Sequence, residues 1–337
     1  MLDRWSEKAD IDKARSVWYE YGELRLPQTE DSRMITDFTD FCTWIYVLVS
    51  DLYAPLAPHF ARPGPAPVCS DAELLTISLV RECCGWDQET DVIAWWQHHR
   101  DLVPHLPSRT RFHRRRRHLQ DALALVRRAI LAVLAVAQDA QCISDSLPLP
   151  VVQLYHASQA STEWAVHGAT FGKCASKKQT ILGFKLHLLL TFGGVIRDVA
   201  LAPAHAADGI SAAELLEAHQ DLTVLGDKGY ISEALATALR IERHIRLLTL
   251  PRANQTVQPP VEMRHRHNHL RQLVETVNSQ LDQQFAIETN HAHSFWGLTA
   301  RLLTKLTAHT LWLNRLLGNI DFLCIERLAF PIYHMSL

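Results

Sequence analysis

A chain of 337 residues that is 47% hydrophobic and 21% charged has the balance of an ordinary globular protein. That balance excludes a disordered or low-complexity chain, and the length accommodates two domains. The net charge of −2 is unevenly spread: the first hundred residues carry 9 Lys and Arg against 17 Asp and Glu, the remainder 25 against 19. A polyanionic partner is therefore compatible with the second part, because neutralising it needs local rather than total charge.

Seven cysteines without paired C-x-x-C spacing exclude a disulfide framework and a structural zinc site, and suit reduced thiols in a cytoplasm. Charges throughout residues 1–20 argue against a signal peptide. Arg127 and Arg128 interrupt the most apolar stretch, 122–137, so no membrane span is expected.

Residues 1–35 read as a charged leader. The spacing of Phe38, Phe41, Ile45, Leu48 and Leu52 predicts a helix between Thr36 and Leu56, which the Pro63–Pro67 cluster separates from the next. Ser70 and Glu73 form a capping box opening a helix that ends near Gly85, and a second helix runs through Val92, Trp95 and Trp96. The pair fits a DNA-reading helix-turn-helix and a plain helical hairpin equally well.

Arg109, Arg111 and Arg114 to Arg117 then place six arginines in nine residues. On a short helix that density favours phosphate contact over a merely solvated face, with Arg114, Arg115, Arg116 and Arg117 the candidate contacts. Leu119–Val136 reads as an amphipathic helix, so 36–137 is expected to be an all-helical, DNA-binding region.

The pattern changes after residue 137. Cys142–Asp145 reads as a strand ending in an acid, Gly183–Phe192 and Val195–Ala202 as a hairpin turned at Gly193-Gly194, and Leu222–Leu225 and His244–Leu250 as further strands. Helices are expected over 211–219, 232–240, 268–284 and 295–317. Three strands followed by alternating strands and helices predict an α/β fold with a mixed sheet, the element order of the ribonuclease H-like fold, over 138–320. Residues 321–337 are left as a tail.

Three acids stand out by position: Asp145 closes the first strand, Asp227 follows Gly226 at the end of the fourth, and Glu275 lies on the helix after the fifth. Ligands of an open α/β sheet gather at the carboxyl ends of its strands, so side chains 82 and 48 positions apart in sequence are expected to converge. Three hard oxygen donors suit two Mg²⁺ or Mn²⁺ ions, which pair with carboxylates, water and phosphate.

A single acid at a strand end is more often a cap or turn residue; the case rests on the three together. Glycines on both sides of Asp227 leave room for a sharp turn and for a DNA backbone. Lys173, Lys177 and Lys178, read as a loop between the first two strands, and Lys185 on the second are candidate phosphate contacts beside Asp145, with Lys228 and Arg271.

The run Arg264–His269 lacks the i, i+4 histidine spacing of a helical metal site and reads as basic surface. Asp208 reads as an accessory acid or a helix cap. Trp95, Trp96, Trp164 and Trp296 read as packing residues, with stacking on a flipped base as the less favoured use.

In Asp145-Ser146-Leu147-Pro148, Gly183-Phe184-Lys185-Leu186-His187, Gly226-Asp227-Lys228-Gly229-Tyr230-Ile231 and Arg271-Gln272-Leu273-Val274-Glu275-Thr276, the sequence resembles the DDE transposases of bacterial insertion sequences. The likeness runs from about Thr36 to Leu317. It implies Asp145, Asp227 and Glu275 as the metal-binding catalytic triad, dependence on Mg²⁺ (or Mn²⁺), and cleavage at element ends followed by joining of the 3′-hydroxyl to target DNA.

It implies as partners double-stranded DNA, with terminal inverted repeats bound by the helical region, and a homodimer on that DNA. No membrane is involved, and the location is cytoplasmic, at the nucleoid when DNA-bound. Where many relatives have tyrosine and lysine around the motif arginine and glutamate, this chain has Asn268 and Asp282. A nuclease of the same fold and a catalytically decayed DNA-binding copy are the competing readings. A paired-acid glycosidase leaves the arginine run and the glycine-bracketed Asp227 unexplained.

Overall fold

The computed structural model describes residues 38–152, 154–174, 179–226, 233–249, 261–289 and 291–313, with the backbone alone for 261–269 and 313. The described residues form two units: those up to Leu134 together with those from Thr299, and Ala135–Leu298. The leader 1–35 and the tail 321–337 lie outside the described residues. Among the described residues no helix is long and apolar enough to cross a membrane.

The first unit is helical. Helix α1 (Phe38–Tyr53) buries the predicted stripe of Phe38, Phe41, Ile45, Leu48 and Leu52. Helix α2 (Asp71–Cys83) opens with the predicted capping box: Ser70 Oγ accepts from the Glu73 amide at 3.2 Å, and the Ser70 amide donates to the Glu73 carboxylate at 2.5 Å. Such a cap satisfies donors that the first helical turn leaves open and contributes about 1 kcal/mol.

Helices α3 (Glu89–His98), α4 (Arg109–His118) and α5 (Gln120–Val133) follow. From Thr299 onward the helix Phe295–Leu313 is grouped with this unit. Within the unit the fully buried Glu82 carboxylate meets Lys305 at 2.9 Å, Arg301 at 3.6 Å and Arg81 at 3.8 Å. Burial pushes the Glu82 carboxyl up, but these three cations outweigh it and hold it below its usual range. A buried charge is tolerable only when paired in this way.

The second unit is built on a six-stranded mixed sheet. Its strands are β1 (Gln141–Val152), β2 (Thr170–Cys174), β3 (Gln179–Thr191), β4 (Ile196–Pro203), β5 (Thr223–Gly226) and β6 (Arg246–Thr249). The order is β2-β3-β1-β5-β6, with β4 paired to β3. β1, β3 and β4 form an antiparallel meander, whereas β1, β5 and β6 run parallel. A short helix α6 (Thr162–Val166) precedes β2, and α7 (Asp208–Leu216), α8 (Glu233–Arg243) and α9 (Val261–Gln283) complete the unit. The mixed sheet, its flanking helices and the helical N-terminal region are consistent with the ribonuclease H-like fold.

The two faces of the sheet are covered differently. Cys142 and Leu189 pack with Val224, Leu215 and Leu216 of α7, and Leu239 of α8. On the other face α9 buries Val274, Val277 and Leu281. The hairpin between β3 and β4 turns at Gly194, whose φ of 82° suits glycine, with the Gly194 amide donating to the Thr191 carbonyl at 3.0 Å.

Three boundaries differ from the sequence reading. β1 continues past Asp145 to Val152, because Leu147, Leu149 and Val151 alternate inward even though Pro148 and Pro150 intervene. α9 starts at Val261 rather than near 268. β2, read as loop, is an edge strand: Gly172 sits so close to the Ala204 carbonyl that a Cβ there would lie 2.1 Å from its oxygen, and that glycine conceals the apolar alternation of a strand.

Candidate active site

Asp145 occupies the middle of β1, opposite Leu188 of β3. The parallel pairing of β1 with β5 ends one residue earlier, where Ser144 faces Gly226. Gly226 immediately precedes Asp227 in the sequence; Asp227 and Lys228 lie outside the described residues, as do Lys177 and Lys178.

Neighbours along a strand point to opposite faces and paired residues share one. Asp145 therefore shares the face of Leu147, Leu188 and Leu186, the face that α9 covers. Asn278 of α9 confirms the placement by donating from Nδ2 to Asp145 Oδ2 at 2.8 Å. The sequence reading did not single out Asn278, whose only sequence signal is its place one turn beyond Glu275.

Glu275 is exposed, its side chain 67% accessible, and accepts from Arg271 Nε at 3.3 Å. At 100° per residue, Arg271, Glu275, Asn278 and Asp282 share one flank of α9, beside the buried stripe of Val274, Val277 and Leu281. Among the described residues no three His, Cys, Asp or Glu side chains form a metal-binding group. On this face of β1 the Asp145 carboxylate and the Asn278 amide meet, with the Glu275 carboxylate one helical turn away along α9. Hard, anionic or neutral oxygens of this kind fit Mg²⁺ or Mn²⁺ better than softer metals.

Lys185 belongs to the other face. It pairs with Pro148, three residues beyond Asp145, and its ammonium donates to Asp208 Oδ1 at 2.9 Å and to the Ala206 carbonyl at 2.9 Å. Ser146 Oγ also donates to Asp208 Oδ1, at 3.4 Å. Asp208 is thus not the cap of α7, whose cap position is Ala207; it sits in the first turn and ties the helix to β1 and β3.

His187, opposite Ser146, is fully buried, and its ring nitrogens have no hydrogen-bond partner among the described residues. Burial pushes its pKa down to about 4. Lys173 is exposed on β2 and pairs with Thr180, eight residues along β3 from Leu188. At about 3.3 Å per residue that is roughly 26 Å from Asp145, so the structure does not bring Lys173 and Asp145 together.

The arginine run divides in two. Phe112, Arg115, Arg116 and Leu119 are buried, at i, i+3, i+4 and i+7, while Arg111, Arg114, Arg117 and His118 are exposed on the opposite side of α4. Arg115 donates from Nε to Asp71 Oδ1 at 2.7 Å and from Nη2 to Asp71 Oδ2 at 2.5 Å and the Phe60 carbonyl at 2.7 Å. Arg116 lies 3.1 Å from Glu89 Oε1.

The helical phase turns Arg115 and Arg116 inward, where they pair with Asp71 and Glu89, and leaves Arg114 and Arg117 exposed. α3, the second helix of the hairpin, contains no Lys or Arg and exposes Asp91. Trp95, Trp96 and Trp164 are buried packing residues, whereas Trp296 is 40% exposed.

Residues 161–311 match the family model of the transposase DDE domain. Over those residues the chain is similar to the transposase DDE domain. The match takes in β2 to β6, Asp227, Glu275 and Asn278, and leaves Asp145 and the N-terminal helices outside. No curated protein matches the chain.

Proposed function

We propose that the chain is a transposase that cleaves DNA at the ends of an insertion sequence and joins the freed 3′-hydroxyls to target DNA. The observation that carries this reading is the hydrogen bond from Asn278 to Asp145, which ties the central strand to the helix bearing Glu275 inside a sheet of the right topology. The transposase DDE domain match supports it independently.

On this reading Asp145, Asp227 and Glu275 hold two Mg²⁺ or Mn²⁺ ions. Two such ions, when bound, activate the attacking oxygen and stabilise the leaving one in an in-line phosphoryl transfer. The protein groups position and neutralise. Asn278 fixes the Asp145 carboxylate, Arg271 holds Glu275, and the exposed Arg114 and Arg117 with Lys228 meet phosphates. Lys185 serves the scaffold through Asp208. The catalytic domain spans 138–320, the helical region 36–137 grips the terminal inverted repeats, and two copies act together on the ends in a bacterial cytoplasm.

The test is cleavage and joining of double-stranded DNA carrying the flanks of the gene, with Mg²⁺, Mn²⁺ or chelator, for wild type and Asp227→Ala. Metal-dependent joining that disappears in the variant is the expected result. Cutting without joining would reduce the reading to a nuclease, and DNA binding without any reaction would reduce it to a binding protein.

A further inference from the structure

We infer that Asn278 is a positioning residue for the metal-binding carboxylate Asp145, an assignment that rests on the metal-ligand reading of Asp145. Its Nδ2 lies 2.8 Å from Asp145 Oδ2, and the two residues are 133 positions apart in sequence. Asn278 stands at the border between the buried stripe Val274, Val277 and Leu281, which seats α9 on the sheet, and the exposed flank that carries Glu275. It therefore connects the Glu275 flank to β1.

The chemistry of the pair suits a metal ligand rather than a closed ion pair. A carboxylate has about four lone-pair sites, and an amide donor occupies one while carrying no charge. Lysine or arginine at 278 would neutralise Asp145 and compete with a divalent cation for it. Asparagine restricts how the carboxylate rotates and leaves its charge intact. Its own Oδ1 is buried and has no hydrogen-bond partner among the described residues. A buried amide oxygen of this kind calls for a donor. Polar groups behind a metal ligand orient it in this way, and their removal typically weakens metal affinity about 10–100-fold.

The test measures Mn²⁺ affinity of the full chain, without DNA, from the electron paramagnetic resonance signal of the free ion. Asn278→Leu, which preserves approximate shape, and Asn278→Ala, which does not, are compared with Asp145→Ala and wild type. Thermal melting of the metal-free proteins runs in parallel. The expected result is an affinity lowered about tenfold in both Asn278 variants and abolished or nearly so in Asp145→Ala, with the metal-free melting temperature of Asn278→Leu close to wild type.

Mn²⁺ affinity within twofold of wild type in the folded Asn278 variants, with Asp145→Ala still defective, would overturn the role of Asn278 alone. A lowered metal-free melting temperature with unchanged Mn²⁺ affinity would likewise assign Asn278 to packing. Normal Mn²⁺ binding in Asp145→Ala would overturn the metal-ligand reading itself.

Discussion

Replacing Arg115 by alanine separates structural arginines from DNA-facing ones, and the size of its effect can be worked from the geometry. Arg115 gives Asp71 two hydrogen bonds, at 2.7 and 2.5 Å, and the Phe60 carbonyl a third at 2.7 Å. Without it Asp71 keeps Tyr53, whose hydroxyl donates at 2.8 Å, and a distant Arg62 at 4.0 Å. Removing one partner of a buried ion pair costs about 3–5 kcal/mol. The side chains here are 9% and 13% exposed, so the lower part of that range applies.

At roughly 2–4 °C per kcal/mol for a domain of 150–250 residues, the melting temperature should fall by on the order of 10 °C. Acid should reveal the same interaction. Burial pushes the Asp71 carboxyl up, but hydrogen bonds from Arg115 and Tyr53 outweigh it and hold the carboxyl below its usual range. The stability it contributes is therefore complete above the ordinary carboxylate pKa and lost as pH falls through the depressed folded value. Arg115→Ala should flatten that part of the profile.

The paired variant Arg114→Ala/Arg117→Ala should melt within about 0.5 kcal/mol of wild type, as surface changes do. It should bind DNA more weakly, with the slope of log affinity against log salt reduced by about 0.9 for each phosphate no longer neutralised. Calorimetry or circular dichroism for melting, and fluorescence anisotropy over a salt series for binding, check both halves. If Arg115→Ala melted like wild type and bound DNA poorly while the surface pair bound it normally, the division of α4 would be refuted.

Further outcomes follow from the second unit. Asp227→Ala and Glu275→Ala should each abolish metal-dependent cleavage in a strand-nicking assay and leave DNA affinity largely intact, since each removes a carboxylate and no cation. Equal loss of both would contradict their assignment. Lys185→Ala should destabilise by about 1 kcal/mol, because its partner Asp208 is 35% exposed and solvent screens the pair, while DNA affinity stays put in the same titration.

Fully buried His187, with its pKa pushed down to about 4, takes up a proton later in the folded than in the unfolded chain. Stability should therefore be level above pH ~6.5 and decline by roughly 3 kcal/mol in total on acidification to pH ~4. Urea unfolding at several pH values should show that slope reduced in His187→Met, and an unchanged slope would refute the assignment.

The large-scale order of the fold was legible because its signals are local and redundant. The glycine pair at 193–194, the Ser70–Glu73 box and the apolar run of β3 each specify an element without tertiary help. What escaped needed the third dimension. β2 carries a glycine where a strand normally shows an inward apolar residue, and only the approach of Ala204 explains it. β1 runs past Asp145, where the sequence reading ends it, and tolerates Pro148 and Pro150.

The inward half of the arginine run was readable in principle. Phe112, Arg115, Arg116 and Leu119 trace an apolar-helix period, but arginine density overrode phase. Glu275 was legible as a helix position; Asp145, read as a strand end, stands in mid-strand, and Asp227 lies outside the described residues. Asn278 was not legible, since no local pattern connects residues 133 positions apart.

The same division accounts for four of the acids in the first hundred residues. An acid excess in the first hundred residues looks hostile to a polyanion, yet Asp71, Glu82, Asp87 and Glu89 all face cations within their own unit: Arg115, Lys305, Arg301, Arg81 and Arg116. Those acids and bases cancel in buried or half-buried positions and contribute little field outside. The exposed bases of α4 are Arg109, Arg111, Arg114, Arg117 and His118. Within the described part of the helical unit, those side chains are where phosphate recognition is most readily placed.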